Sequence, residues 1–217
     1  MYRRCMQRLS TINSWILSNP YPIAPTMAIS RATPSYHLKR RDRISVDAHT
    51  LWQVRSGLVR TVTWGEDGEV VPLGLWPPGS VLGVPITQVE PCELQCLSAV
   101  ELAQLPLDYD LTVAMLLQHT AQINRLLQIM HCRQVHTRLL QFSCWLAENF
   151  GQPTSHGRLI TVRLTHQEIA ETIGTSRVTV TRFIKQLEAE GLVRWSGRER
   201  FVSNRALKAH QRELMIA

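Results

Sequence analysis

The sequence predicts an α+β fold in three parts: a β-roll, a long helix, and a small unit of two angled helices closed by a β-hairpin. Three observations predict it. The hydrophobic period changes from two to helical near residue 108. Ahead of that change Gly57, Gly68 and Gly79 recur every eleven residues, the spacing of short strands and turns. After it, residues 165–190 read as helix, tight turn, helix, and Gly191–Val202 as a hairpin.

The 217 residues carry a formal net charge of +7 and are 44% hydrophobic, enough for two small domains and too apolar for wholesale disorder. Charge is unevenly placed. Residues 1–43 hold eight Lys/Arg and one Asp, residues 44–130 hold three and nine, and residues 131–217 hold thirteen and seven. A mildly acidic middle followed by a basic C-terminal third points to two domains, the second meeting something anionic. No run of eighteen apolar residues is present, and Trp15-Ile16-Leu17 is too short for the core of a signal peptide, so the expected compartment is the cytoplasm, with no membrane partner.

Residues 1–35, with Pro20, Pro22, Pro25 and Pro34, are expected to form a flexible arm, and Met27 is an alternative initiator. Lys39-Arg40-Arg41 is expected to be a solvated basic run. The β-roll is expected over 36–108. Leu51–Val54 is one strand, and Leu58–Trp64 alternates by two. Asp67-Gly68 supplies the hairpin turn into Glu69–Leu75, and Pro77-Pro78-Gly79 breaks the return strand. Leu94–Leu105 supplies one or two more strands.

The long helix is expected over 109–133, with Asp108 and Asp110 charging its start. Val113, Leu116, Thr120, Ile123, Leu127 and Met130 follow alternating three- and four-residue steps, a dimerisation seam about three heptads long. Thr137–Phe150 is a further amphipathic helix, with Leu139, Leu140, Trp145 and Leu146 inward and Gly151 as a terminator.

The C-terminal unit, 134–217, carries the most specific signal. Thr165-His166-Gln167-Glu168 matches a capping box. Ile169, Ala170 and Ile173 face inward, Gly174 turns the chain, and Thr175 or Ser176 caps the second helix. Val180, Phe183, Ile184 and Leu187 form that helix's buried stripe. Ser176, Arg177, Val178, Thr179, Thr181 and Arg182 are then left on its outer N-terminal face, the layout of a helix-turn-helix offering its second helix to the major groove. Arginine bonds bidentately to guanine and valine touches a thymine methyl, while Ser, Thr and Gln at helix starts bond phosphates. The hairpin, turning at Ser196-Gly197-Arg198, makes the unit a winged helix.

Residues 45–203 resemble the Crp/Fnr family of bacterial transcription regulators. Gln53–Gly57, Glu66–Glu69 and Pro78–Gly83 are similar to its cyclic-nucleotide-binding-like β-roll, and Leu164–Leu192 to its DNA-binding signature. Within the family, Arg177–Arg182 and Ser80–Val84 are similar to the NtcA branch. The resemblance implies a homodimer on a palindromic DNA site, in contact with RNA polymerase, with Gln152–Arg158 as a candidate polymerase loop. It implies that Arg177 and Arg182 read bases and that Thr165, Gln167 and Ser176 hold the backbone. Where the cyclic-AMP receptors use a base-reading Glu, this chain has Val178, so a half-site closer to GTA than to GTGA is expected. Leu82, Gly83 and Val84 match the effector loop.

The effector is less legible. Gly83-Val84 is followed by Pro85, and residues 61–124 contain no arginine, so a bound phosphate would lack a cation; no cyclic nucleotide and no cofactor is expected. His119 and Asn124 stand where the long helix would supply a charged pair. The alternative is a small-molecule or redox sensor whose DNA binding depends on its effector. The five cysteines, of which only Cys5 is N-terminal, do not fit an iron–sulfur set, and no metal site is expected. Cys92 and Cys96 would lie about 13 Å apart on a strand, whereas a loop could bring them together as a thiol pair; buried neutral thiols are expected. His119, His131 and His136 are expected on the long helix, at surface or dimer-rim positions. Metal-protease, nucleotide-cradling and nucleophile-elbow motifs are missing, so catalysis is not expected.

Overall fold

The computed structural model describes residues 34–106, 112–195 and 199–216, with backbone alone from 213 onward. The expected N-terminal arm up to residue 33, Asp108 and Asp110, and the hairpin turn Ser196-Gly197-Arg198 lie outside the described residues.

Eight strands build the roll: β1 (Ser35–Leu38), β2 (Arg43–Ser45), β3 (Leu51–Ser56), β4 (Val59–Trp64), β5 (Val70–Trp76), β6 (Val81–Leu82), β7 (Glu93–Cys96) and β8 (Val100–Leu105). They form two four-stranded sheets, β1-β8-β3-β6 and β2-β7-β4-β5. Every pair is antiparallel. Trp52, Val54, Val59, Trp76, Leu82, Leu94, Cys96, Val100 and Leu102 fill the space between the sheets. The three spaced glycines all take positive φ, 84° at Gly57, 78° at Gly68 and 90° at Gly79. At Gly57 the chain also passes so close to Ala99 that a Cβ would lie 2.1 Å from its carbonyl oxygen. A short helix, α1 (Val84–Thr87), follows β6 directly.

Cys92 and Cys96 are buried free thiols, and burial pushes both up to about 11, so neither is a thiolate at neutral pH.

The long helix α2 (Val113–His131) starts at Thr112, whose hydroxyl accepts from the Met115 amide. It turns Leu126 and Ile129 inward while Val113, Leu116, Leu117 and Leu127 stay exposed. Ile123 and Met130 are half-buried; Ile123 packs on the roll core and Met130 on the C-terminal core. The expectation for His119 is corrected. It is 5% exposed and stacked on Trp76 at 4.4 Å, because its face of α2 closes over the roll. His136 is corrected too: it belongs to the next helix, α3 (Val135–Phe150). Gly151 ends α3, but with an extended φ of −95° rather than a left-handed cap; glycine is needed because a Cβ would sit 2.1 Å from the Ala147 carbonyl oxygen.

The C-terminal unit adds α4 (His166–Ile173), α5 (Arg177–Ala189) and α6 (Asn204–Ile216) around a sheet ordered β11-β12-β10-β9. Its strands are β9 (Gly151–Pro153), β10 (Gly157–Ile160), β11 (Val193–Arg194) and β12 (Phe201–Ser203). One apolar cluster joins this unit to Leu126 and Ile129 of α2 and to Leu58, Leu75 and Leu97 of the roll.

Candidate nucleic-acid interface

α4 begins in a complete capping box: Thr165 accepts from the Glu168 amide, and the Glu168 carboxylate accepts from the Thr165 amide at 2.6 Å. α4 ends at Gly174, in the left-handed region at φ 62°, where a Cβ would meet Met130 Cε at 2.9 Å. α5 is capped by Ser176, which accepts from the Thr179 amide. Ile169, Ala170, Ile173, Val180, Ile184 and Leu187 are buried between the two helices and α3, which fixes their crossing. Phe183, expected in the buried stripe, is half-buried and carries the Arg182 guanidinium 4.7 Å over its ring.

The face left outside begins α5. Val178 is 78% exposed. Arg177, Arg182, Ser176 and Gln167 are exposed around it. Thr179 and Thr181 are half-buried with their hydroxyls engaged inside the unit. Thr179 pairs with Ser176 Oγ at 2.8 Å, and Thr181 donates to the Arg177 carbonyl and meets His166 Nδ1 at 2.8 Å. His166 was noticed in the sequence only as part of the capping box. Burial, then the charges of Arg200 and Arg177, hold its pKa below the usual imidazole value.

β11 and β12 pair as the wing, Val193 with Val202 and Arg194 with Phe201. The wing is tied to α5 where the Trp195 amide donates to Glu188 at 2.6 Å. Arg200 lies 5.6 Å over the Trp195 ring. Another arginine, Arg138 on α3, donates to the Cys132 carbonyl at the end of α2 and to the carbonyls of Ile173 and Gly174. It thereby ties the end of α2 to the turn between α4 and α5.

The expectation for Arg40 is corrected: it is not a solvated charge. It donates to Glu168 at 2.5 Å and to the Leu97 carbonyl, because the chain after β1 runs beside α4. Arg60, read in the sequence only as one member of an alternating strand, is 3% exposed. It bonds Glu171 at 2.7 Å and Gln95 at 2.7 Å. A signal was present, since Arg60 is the one charge in Leu58–Trp64. Burial raises the Glu171 pKa, but the hydrogen bonds from Arg60 and Gln167 outweigh it and hold the carboxyl below its ordinary range.

Leu82 and Val84 are buried, and the backbone at Gly83 passes Thr50 so closely that a Cβ would lie 2.5 Å from its carbonyl oxygen. These three residues do not line the neighbouring cavity of about 390 Å³, which is bounded by Leu73, Ile86, Val89, Leu116, His119 and Ile123 with Thr87 and Thr120. That lining carries no Lys or Arg. His119 holds Val81 through Nδ1, and its Nε2 is buried without a partner among the described residues. Burial keeps its pKa below the usual value. Among the described residues no group of three His, Cys, Asp or Glu is placed to hold a metal, and no helix is long and apolar enough to cross a membrane.

A roll, a long helix and a winged helix-turn-helix with a free arginine-valine face define a DNA-binding transcription regulator rather than an enzyme. The chain matches the Crp-like helix-turn-helix domain over residues 134–209. It is 39% identical over 173 residues to the regulatory protein CysR of Synechococcus elongatus, covering 76% of this chain and 82% of that protein. It is 28% identical over 137 residues to the global nitrogen regulator of Nostoc sp., covering 63% of this chain and 57% of that protein. A CRP/FNR-family transcriptional regulator of Thermus thermophilus shares the fold with a TM-score of 0.66 at 24% identity, covering 85% of this chain and 99% of that one. The chain belongs to the Crp/Fnr family of transcription regulators.

Proposed function

We propose that the protein acts as a homodimer on a palindromic DNA site whose half-sites are GTA-like and one helical turn apart. The observation that carries this is the exposed start of α5, where Arg177 and Val178 project outward while the neighbouring threonines spend their hydroxyls internally. Arg177 reads guanine, Val178 covers a thymine methyl, Arg182 supports the base contacts, and Gln167, Ser176 and Thr165 with the helix starts hold phosphates. The exposed α2 stripe supports pairing with a second copy, and the exposed β9–β10 hairpin, residues 152–156, is a surface for RNA polymerase. A cytoplasmic location follows from that work.

The cavity beside His119 favours a second reading, a sensor whose DNA binding depends on a small molecule. Its cation-free lining is unsuited to cyclic nucleotides and other phosphates. One experiment separates the two: fluorescence anisotropy of the purified, ligand-free protein on GTA-N8-TAC against a scrambled duplex at physiological salt. Tight, selective binding supports competence without an effector; weak, unselective binding means either that an effector is required or that the half-site is wrong, and selection from random DNA with and without candidate effectors separates these. Arg177→Ala is expected to cost about 1–3 kcal/mol on the specific site. Unchanged binding would remove Arg177 from the reading set, and recovery of GTGA half-sites from random DNA would overturn the proposed half-site.

A further inference from the structure

Arg60 stands in a place that packing alone would give to an apolar side chain. It lies on the face of the β2-β7-β4-β5 sheet that turns toward the C-terminal unit. Its cross-strand partners are Leu75 on β5 and Gln95 on β7. Leu58, Leu75 and Leu97 of the roll belong to the same apolar cluster as Ile169 and Ile173 of α4. A guanidinium left unpaired there would carry a large desolvation cost. The structure offsets much of that cost at the two Nη atoms, through α4 and one strand neighbour, while Nε is buried without a partner among the described residues. Nη2 donates to Glu171 Oε2 and Gln95 Oε1, each at 2.7 Å; Nη1 donates to Thr172 Oγ1 at 3.3 Å and reaches the Glu168 carbonyl at 3.5 Å. The second oxygen of Glu171 accepts from Gln167 Nε2 at 2.9 Å. Beside it, Arg40 holds Glu168, the residue that also closes the capping box.

A continuous path therefore runs from the middle of β4 to an exposed side chain at the start of α4. Planar, multidentate pairing of this kind fixes orientation as well as distance. An apolar residue at position 60 would allow α4 to slide on the roll, whereas the arginine accepts one register.

We propose that Arg60 is a positioning residue for DNA reading: through Glu171 it aims Gln167 at the DNA backbone, and through Thr172 and Glu171 it sets the pose of the reading helices on the β-roll. This rests on the DNA-binding face described above. It makes the roll a template for the reader, independently of the cavity beside His119. It also neutralises an acid next to a phosphate-facing surface, where an unpaired Glu171 would repel DNA.

The test uses the full chain and compares wild type with Arg60→Met, Arg60→Lys, Glu171→Gln and the Arg60→Met/Glu171→Gln pair. Each is titrated with the specific and the scrambled duplex well below its melting temperature. Expected is a drop of at least about tenfold in the specific-to-scrambled ratio for Arg60→Met, the scale of one lost charge-assisted pair. Arg60→Lys should recover only part of it, because a compact ammonium lacks the planar fork whose two Nη atoms face Glu171 with Gln95 and Thr172 separately. The double variant should lose less than the two single changes combined, since both act through one contact. A merely structural role would lower the melting temperature and leave the ratio intact, and that result overturns the proposal. If Arg60→Met does not fold, Glu171→Gln at the half-exposed end of the pair decides, and a wild-type ratio there overturns it as well. Arg177→Ala serves as the control: if its ratio is unchanged too, the DNA face has been misassigned, whereas an altered ratio there beside an intact one in the Arg60 variants refutes Arg60 alone.

Discussion

His210 on α6 is 2% exposed, and its Nε2 meets the guanidinium of Arg125 on α2. A cation can only donate, so the imidazole must accept and stay neutral. Burial, then the charge of Arg125, lowers its pKa from 6.5 to about 4. The unfolded chain takes up this proton as pH falls through 6.5, while the folded chain refuses it until about pH 4. Stability is therefore fully present above pH 6.5 and is lost progressively between 6.5 and about 4. A lower melting temperature at pH 5 than at pH 7.5 is expected, and His210→Gln should narrow the gap by keeping an acceptor that does not titrate. Some gap should remain, because burial depresses His119 and His166 in the same direction. An equal gap in the variant would show that His210 is not the source.

The reading unit was the most legible element because its signals are local. A capping box, a glycine at positive φ and a second N-cap all fall within twelve residues, and each has a fixed physical meaning. Ser176 allows stability and function to be pulled apart at this scale. Ser176→Ala should cost about 1 kcal/mol of stability by freeing the Thr179 amide. Ser176→Asp should restore the cap and suit the helix dipole, yet weaken DNA binding by placing an anion against phosphates. Thermal melts read beside anisotropy would check this; a loss of both properties in the aspartate variant would mean the cap is not what Ser176 contributes. The roll was legible in its centre and obscure at its edges. β3, β4 and β5 follow from alternation and Asp67-Gly68. β1 and β2, flanking a basic run, have little alternation of their own and exist because β8, some sixty-five residues on from β1, and β7, some fifty on from β2, offer them edges. Arg40 and Arg60 were missed for the same reason: their partners lie 128 and 111 residues away, a separation that periodicity cannot reveal.

At the scale of the molecule, the decisive feature is that α2 serves two surfaces. One side covers the roll and the C-terminal unit through His119, Leu126 and Ile129. The other leaves Val113, Leu116, Leu117 and Leu127 exposed by 72%, 43%, 53% and 50%. A stripe of that size on a helix already anchored from behind is the surface we propose for a second copy. Leu116→Glu/Leu127→Glu should leave the protomer folded, since neither side chain is buried, while sedimentation shifts from dimer to monomer. The consequence for DNA follows from effective concentration. With the first protomer bound, the second half-site is met at high local concentration, so losing the dimer should weaken binding to the palindrome by about 100-fold or more while half-site binding changes little. A doubly charged variant that still sediments as a dimer would move the interface elsewhere. A monomer that kept full affinity for the palindrome would mean that the two half-sites are read independently, leaving α2 as a strut between roll and reader.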